Sequence, residues 1–447
     1  MKYMPKEQKP SSVTEGSKQE REIHARWQWV EPAVWTERML ETLEKGVKGG
    51  KWFSLVDKVY SDKNLNASWE RVQRKRGSAG VDGQSVAMFE RGAQKYLTEI
   101  QQALKEGTYH PQDVKRKWIP KSGSAGMRPL GIPTVKDRVV QTALLHVLEP
   151  IWENRFTEHS YGFRPGRCCK DALRRVDGFL KSGYNFVIDA DIQSYFDSID
   201  HDILMEEVEK EVSDGRVLNL LRAYLKQGVL EGVKEWKAIS GTPQGAVISP
   251  LLANIYLHPV DVALKEAGFE AVRYADDLVI LCISEDEAVR AMEILESEMS
   301  RRKLTLHPEK TRIVDVRLPG GFDFLGYHFE RGYRWPRKKS LKSLKDRVRL
   351  KTKRANGQSL SRIIEDINPV LRGWYNYFKH SCKNIFPSLD GWVRMRLRSI
   401  LRKRSGGKGK GRGADNQKWP NAFFAESGLF TMKTARESAC QSRCGNH

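Results

Sequence analysis

A sheet domain of the α/β or α+β class, followed by a separate basic helical region, is what the sequence predicts, and three observations carry it. Short runs of β-branched and apolar residues alternate with stretches whose apolar residues recur at helical spacing, the pattern of a sheet covered by helices. The composition then changes after GFDFLGYHF: from about Arg331 the chain is strongly basic and mixes aromatic residues with Lys and Arg. Finally, 447 residues exceed what one ordinary hydrophobic core organises, so two or three packed units are expected.

Residues 1–50 open with a polar leader, MKYMPKEQKPSSVTEGSKQE, expected to be mobile, and continue into ARWQWVEPAVWTERMLETLEKG, whose spacing predicts an amphipathic helix. Trp52 to Gly107 reads as helices with a loop marked by Gly77, Gly80 and Gly83. Lys115 to Thr134 reads as two short strands joined by a Gly/Ser turn and decorated with basic residues. Asp137 to about Phe156 has helical spacing and is broken by YGFRPGR. NFVIDADIQSYFDSIDHDIL reads as a strand running into a loop and a helix. A helical stretch to about Gly228, the loop GTPQGAVISPLLANIYL entering a helix, and the hairpin AVRYADDLVILCIS follow. The expected divisions are therefore 51–330 for the sheet domain and 331–401 for the basic helices. Residues 402–447 hold a low-complexity linker, RKRSGGKGKGRG, and an apolar piece, KWPNAFFAESGLFTM, able to dock back.

Lys and Arg total 77 against 56 Asp and Glu, a formal net charge of +21. Such an excess repels itself in a compact chain unless a polyanion neutralises it, so nucleic acid is the favoured partner; a merely solubilising surface charge is the competing reading. No stretch approaches the roughly 18 apolar residues of a spanning helix, and the polar N-terminus is unlike a secretory signal, so no membrane partner and a cytoplasmic location are expected. The six cysteines are scattered rather than framed, which suits free thiols in a reducing compartment. Cys440, Cys444 and His447 invite a zinc reading, but four ligands at usual spacing are absent.

Two acidic segments carry the chemistry, VIDADIQSYFD and RYADDLVIL. Asp276 and Asp277 sit at a hairpin tip between apolar flanks, where paired carboxylates repel unless a cation holds them. Asp191 ends an apolar strand and points at the same sheet edge. Carboxylate oxygens, with remaining positions left to water and phosphate, are what Mg²⁺ prefers. Two such ions would clamp an in-line phosphoryl displacement, which is polymerase chemistry. An Asp-Asp pair that merely tips a surface hairpin is the alternative; the second acid-bearing apolar strand upstream weighs against it. Asp189 alternates onto the face of Asp191, and Asp197 lies close by, so the division of labour among these acids stays open.

The wording and order of these boxes make the resemblance specific. YADD at Tyr274 to Asp277 resembles the reverse-transcriptase catalytic box, and DIQSYFD from Asp191 its partner. GTPQGAVISPLLANIYL, SYGFRPGR, MRPLGIPTVKDRVVQ, FLGYHF and LRGWYNYF resemble further boxes in the order shown by group II intron-encoded reverse transcriptases with a maturase region, over about Trp52 to Phe430. The resemblance implies an α+β right-hand fold of fingers, palm with an antiparallel sheet, and helical thumb. It also implies RNA template, a DNA primer or target site, deoxynucleotide substrates and two Mg²⁺ ions. Asp191, Asp276 and Asp277 match the metal-binding acids. Phe196 matches the aromatic that stacks under the incoming sugar and blocks a 2′-hydroxyl, with a plain core aromatic as the alternative. Lys115, Lys121 and Arg128 resemble the grip on the triphosphate. Pro243, Gln244 and Gly245 resemble the turn beside the new base pair, with Ala246 where a second Gly is usual. Arg164 and Arg167 are candidates for template contact, Lys310 resembles a lysine near the active site, and Gly326 resembles the primer-positioning turn. In the maturase-like region Arg372, Trp374, Tyr375, Lys379, Arg394 and Arg396 are candidate RNA contacts, against the reading of a helix bundle with aromatic core and solvated basic face. An HNH-type endonuclease with paired cysteines, carried by many relatives, is not expected here. A splicing cofactor independent of polymerisation, and a reverse transcriptase recruited to host defence or repair, remain alternative functions.

Overall fold

The computed structural model describes residues 25–47, 49–120, 126–231, 234–236, 241–242, 245–355 and 357–444. The expected N-terminal leader lies outside them. Beyond it, the long amphipathic helix is shorter than its spacing suggests: α1 spans Glu37–Lys45, because Pro32 lacks an N–H and Thr36 takes an extended conformation as N-cap. Trp27 and Trp35 upstream are buried all the same, their indole N–H groups donating to Glu44 Oε1 and His146 O, both at 2.8 Å. Helix α2 (Asp62–Lys75) is capped by Ser61, whose hydroxyl accepts from Asn64 N. It packs with α3 (Ala93–Glu106) near α4 (Val135–Glu153), a helix apolar on most of its circumference and buried along nearly all its length.

The hairpin of β1 (Val114–Pro120) and β2 (Met127–Ile132) heads a four-stranded sheet completed by β4 (Val229–Glu231) and β5 (Lys234–Trp236). A second four-stranded sheet, antiparallel and ordered β6-β7-β3-β8, comprises β3 (Phe186–Asp191), β6 (Glu270–Tyr274), β7 (Asp277–Cys282) and β8 (Arg312–Asp315). Helix α5 (Cys169–Lys181) leads into β3, and between the sheet's strands run α6 (His201–Glu211), α7 (Gly215–Leu225), α8 (Ser249–Glu266) and α9 (Glu285–Arg301). Asp214 caps α7 with one oxygen and accepts Leu55 N and Val56 N with the other, at 2.7 and 2.9 Å, tying the N-terminal helices to the centre.

Strand alternation divides the second sheet into two faces. Ile188, Ala190, Leu278, Ile280 and Cys282 enter the main core with α8 and α9. Val187, Val279 and Leu281 face the other way, toward α5 and Phe322, Phe324, Tyr327 and Phe329 of a three-stranded sheet. That sheet is formed by β9 (Phe322–Phe324), β10 (Tyr327–Glu330) and β11 (Tyr333–Pro336). The chain is thus of the α+β class, with an antiparallel central sheet.

Arg331 and Gly332, where the composition changes, form the turn between β10 and β11, so strand pairing continues to Pro336 and the helices begin only at Lys338. Helices α10 (Lys338–Lys351), α11 (Leu360–Phe378), α12 (Ile385–Arg404) and α13 (Met432–Cys444) gather a core of their own around Leu344, Ile363, Ile367, Leu371, Phe386 and Leu397. Asp390 accepts from Met432 N and Lys433 N at the start of α13. The glycine-rich segment after α12 folds back on it: Gly411 N donates to Ser399 Oγ at 2.9 Å, and a Cβ at Gly411 would lie 2.4 Å from Arg398 Cβ. The bundle meets the sheet through Tyr327 and Tyr377, whose hydroxyls donate to Tyr377 O and Leu325 O at 2.7 and 2.8 Å.

One buried charge pair fixes the β6–β7 turn. Arg273 is 1% exposed and Asp261 on α8 is fully buried; the guanidinium donates to both Asp261 oxygens at 2.8 and 2.5 Å, to Asn254 Oδ1 and Ala275 O at 3.0 Å, and to Ser160 Oγ at 2.9 Å. The YGFRPGR loop braces the same turn from outside. Tyr161 N donates to Arg273 O and Arg273 N to His159 O, while Gly162 lies so close that a Cβ there would stand 2.3 Å from Ala275 N.

Breaking a buried ion pair from one side leaves an uncompensated charge, so Asp261→Ala is expected to cost about 3–5 kcal/mol, read by urea unfolding; a loss under 1 kcal/mol would contradict the clamp. A second prediction concerns His146, which is buried with Nδ1–H donating to Asn64 Oδ1 at 2.9 Å, its pKa pushed down to about 4 by desolvation, with Arg71 adding to the effect. The folded state binds that proton less tightly than the unfolded chain, so stability is full above the unfolded value near 6.5 and falls as pH drops toward 4. On the order of 2–3 kcal/mol should be lost between pH 7 and pH 4, and His146→Gln should lack this component.

Candidate active site

Register opposes two of the three acids and sets the third on the turn beside them. Asp191 at the end of β3 is the cross-strand partner of Asp277 at the start of β7, and Tyr274 pairs with Asp277, leaving Ala275 and Asp276 as the turn. Directly opposed side chains stand roughly 4.5–5.5 Å apart at Cβ. Ala275 has φ +60, a left-handed conformation that a non-glycine residue holds only when its surroundings insist; the Arg273 bond to its carbonyl and the Gly162 backbone are those surroundings. Asp189 lies on the face of Asp191, 4.0 Å from Arg312 Nε. This is the face covered farther along by α5 and the three-stranded sheet; at the acid end it is open.

The electrostatics follow from crowding like charges in a concave mouth. Asp276 and Asp277 keep solvent access at their tips, yet the protein around them removes enough water to raise both carboxyls. Asp277 is pushed up to about 7, by desolvation first and then by Asp276 and Asp189. Desolvation likewise pushes Asp189 up to about 6, with Arg312 opposing. Among the described residues no group of three or more His, Cys, Asp or Glu side chains is already gathered to hold a metal. Instead, the Lys310 ammonium donates to Asp191 Oδ2, a positive charge held where the carboxylates require one. The donor set, carboxylate oxygens with solvent-open positions, fits a hard divalent cation.

The β1–β2 hairpin stands over this site. Lys115, Lys117, Leu130 and Arg128 share one hairpin face, since Lys115 pairs with Ile132, Lys117 with Leu130 and Ile119 with Arg128. That face meets Gly245: at φ +110, a Cβ there would stand 2.6 Å from Leu130 Cδ1 and 2.7 Å from Gly131 O, so only glycine fits. Arg128 lies close enough for its charge to oppose the rise of Asp276. Phe196 is half-buried, its ring 5.4 Å from Tyr195, and its carbonyl accepts from Thr242 N at 2.8 Å. Ala246 is buried, and Val247 N donates to Gln141 Oε1 at 2.7 Å. Lys121, Pro243 and Gln244 lie outside the described residues, as do His447 and the side chains of Cys440 and Cys444.

Other candidates fall elsewhere. Arg164 is buried at 6% exposure, bound to Glu153 at 2.6 and 2.8 Å and to Thr157 O and Ser160 O, so four of its five N–H groups anchor its loop internally. Arg167 is half-buried, donating to Glu158 O and Ser160 O over the Tyr161 ring. Gly326, at φ +83, accepts from Arg337 N and Ser340 Oγ at 2.9 and 3.1 Å. Tyr375 is core, its ring against Phe386 and Phe430. Arg396 ties α12 to α10 through Thr352 Oγ1 and O, so it is not a freely presented cation, while Arg394 is half-buried near Asp390 with its Nε unpartnered among the described residues. Arg372, over the Phe430 ring, and Lys379 are exposed. Trp374 is half-buried against Phe378. No motif in the sequence marks Arg273, Asp261 and Asn254 as a group, and the signal for them is a charge inside the apolar strand AVRY and another inside the apolar helix.

Comparison with known proteins agrees with this geometry. Residues 119–329 match the reverse transcriptase (RNA-dependent DNA polymerase) family, and residues 341–419 match the group II intron, maturase-specific domain. The group II intron-encoded protein LtrA of Lactococcus lactis subsp. cremoris is 43% identical over 169 residues, 38% of this chain and 28% of LtrA, so the match spans well under half of that relative. Protein YkfC of Escherichia coli (strain K12) is 35% identical over 294 residues, 56% of this chain and 76% of YkfC. A telomerase structure from Candida albicans superposes with a TM-score of 0.40 at 13% identity, over 71% of this chain and 64% of that one. With the acids in register, the two domain matches in order and relatives of this kind, the chain belongs to the group II intron-encoded reverse transcriptase and maturase family.

Proposed function

We propose that this protein is an RNA-directed DNA polymerase that also binds an intron RNA and assists its splicing, in support of retrotransposition. The observation that carries the reading is the cross-strand pairing of Asp191 with Asp277, with Asp276 on the β6–β7 turn next to Asp277. Reverse transcriptases use divalent metal ions, and we assign Mg²⁺ to these three carboxylates. When bound, the ions supply charge neutralisation for phosphoryl transfer from a deoxynucleotide to a primer 3′-hydroxyl. The chain's own residues orient the reactants. Lys115 and Arg128 on the hairpin face balance triphosphate charge, Gly245 lets the backbone approach the new base pair, and Phe196 bounds the sugar. Lys310, paired with Asp191, holds that carboxylate in place.

The maturase part of the proposal draws on the separate C-terminal core and on α10, whose exposed face is basic. No helix among the described residues is long and apolar enough to cross a membrane, which suits a chain acting on RNA in the cytoplasm. A splicing role that does not need polymerisation is the second reading; it is favoured by the C-terminal helices having a core of their own.

Asp276→Ala should lower primer extension on an RNA template with deoxynucleotides and Mg²⁺ by at least about a hundredfold, and extension at the parental rate would sink the polymerase reading. Phe196→Ala should admit ribonucleotides more readily; unchanged selectivity would reject its role at the sugar. Splicing that survives Asp191→Ala but fails when the Lys and Arg of residues 338–351 are neutralised would show that RNA binding and polymerisation are separable.

A further inference from the structure

Helix α4 carries two buried polar side chains one turn apart on the same face, Asp137 and Gln141. Asp137 accepts from Tyr109 Oη at 2.8 Å, from Thr134 Oγ1 at 2.6 Å and from Gln112 N at 3.3 Å, which anchors the chain leading into the β1–β2 hairpin. Gln141 accepts from Val247 N at 2.7 Å, two residues beyond Gly245. We propose that Gln141 is a positioning residue for the incoming deoxynucleotide: from the helix that roots the hairpin, it fixes the Gly245–Val247 backbone beside the new base pair. The inference rests on the polymerase reading above and deepens it.

Three observations carry the assignment. Gln141 is fully buried, yet its Nε2 finds no acceptor among the described residues. Burying an amide N–H₂ unpaired is costly, and a leucine would fill much the same space without that cost. Packing therefore does not account for the glutamine, whereas the bond to Val247 does. Val247 itself lies just ahead of α8, whose N-cap residue Ile248 has no side chain able to accept a hydrogen bond. The glutamine supplies the acceptor that the local chain lacks. From the other side the same backbone is pressed by the hairpin, where a Cβ at Gly245 would stand 2.6 Å from Leu130 Cδ1 and 2.7 Å from Gly131 O. Leu130 shares its hairpin face with Lys115 and Arg128. A shift of the Gly245–Val247 backbone must therefore displace the face that carries the triphosphate cations. One helix thus sets both surfaces, Asp137 by rooting the hairpin and Gln141 by holding the turn against it.

The test is the affinity of the full chain for a deoxynucleotide, measured with Mg²⁺ on an RNA template annealed to a DNA primer that ends in a dideoxynucleotide, so that no turnover is needed. Gln141→Leu should weaken binding of the complementary deoxynucleotide about tenfold and leave affinity for the primed duplex within about twofold of the parent. Its melting temperature should stay within about 3 °C of the parent, since the variant removes one buried unpaired group as it creates another. Amide hydrogen exchange over residues 245–251, read by mass spectrometry, should show one amide exchanging about tenfold faster or more. Unchanged deoxynucleotide affinity overturns the proposal, and so does a loss of affinity without faster exchange, which would place the effect elsewhere. An equal loss of duplex affinity would make the glutamine merely structural and overturns it as well. Should Gln141→Leu fail to fold, Gln141→Met, with an unbranched chain of similar length, is read in the same way. A chain that binds deoxynucleotide as stated but extends no primer refutes the enzyme reading and leaves the role of Gln141 standing.

Discussion

The buried pair of Arg273 and Asp261 is the constraint on which the site depends. A guanidinium taken wholly out of water is tolerable only if every donor finds an acceptor, and Asp261, Asn254, Ser160 and the Ala275 carbonyl supply them. The cost of satisfying that charge is a rigid turn: β6, α8 and the YGFRPGR loop are all bound to one side chain. Asp276 and Asp277 stand on this turn, so their positions are set by an interior network rather than by the flexible surface that a hairpin tip ordinarily offers. Gly162 and Arg164 belong to the same device, one by close backbone approach and the other by anchoring the loop to Glu153.

The central sheet works because its two faces are treated differently. One is sealed by α8 and α9, which gives β3 and β7 the register that opposes Asp191 and Asp277. The other is sealed by α5 and β9–β11 only as far as Val187 and Val279, leaving the acids at an open mouth. Partial desolvation there raises Asp189 and Asp277, which makes a cation at the site favourable. Lys310 answers this demand with an ammonium on Asp191, and a divalent ion can answer it more fully.

The C-terminal helices combine the two readings that their composition allows. Tyr375 and Phe378 are buried, Arg396 ties one helix to another, and the Gly-rich segment folds back onto α12. Arg372 and Lys379 are presented outward. Tyr327 and Tyr377 bind each other's neighbourhood by reciprocal hydroxyl donation, which fixes the helical bundle against the sheet beside Gly326.

What the sequence determined by itself was local: the β1–β2 and β6–β7 hairpins, the long helix beginning near Asp137, the acids at strand ends, and Gly245 where a backbone must pass closely. These follow from periodicity of two or 3.6 residues and from glycine sterics, which act within a few positions of the chain. Tertiary structure alone decided that Arg273 and Asp261 are partners, that Arg164 turns inward, and that the compositional boundary at Arg331 falls inside a strand pair. Each depends on which groups burial brings opposite one another across long stretches of chain, and an arginine's place in the sequence does not say whether a phosphate or a buried carboxylate awaits it.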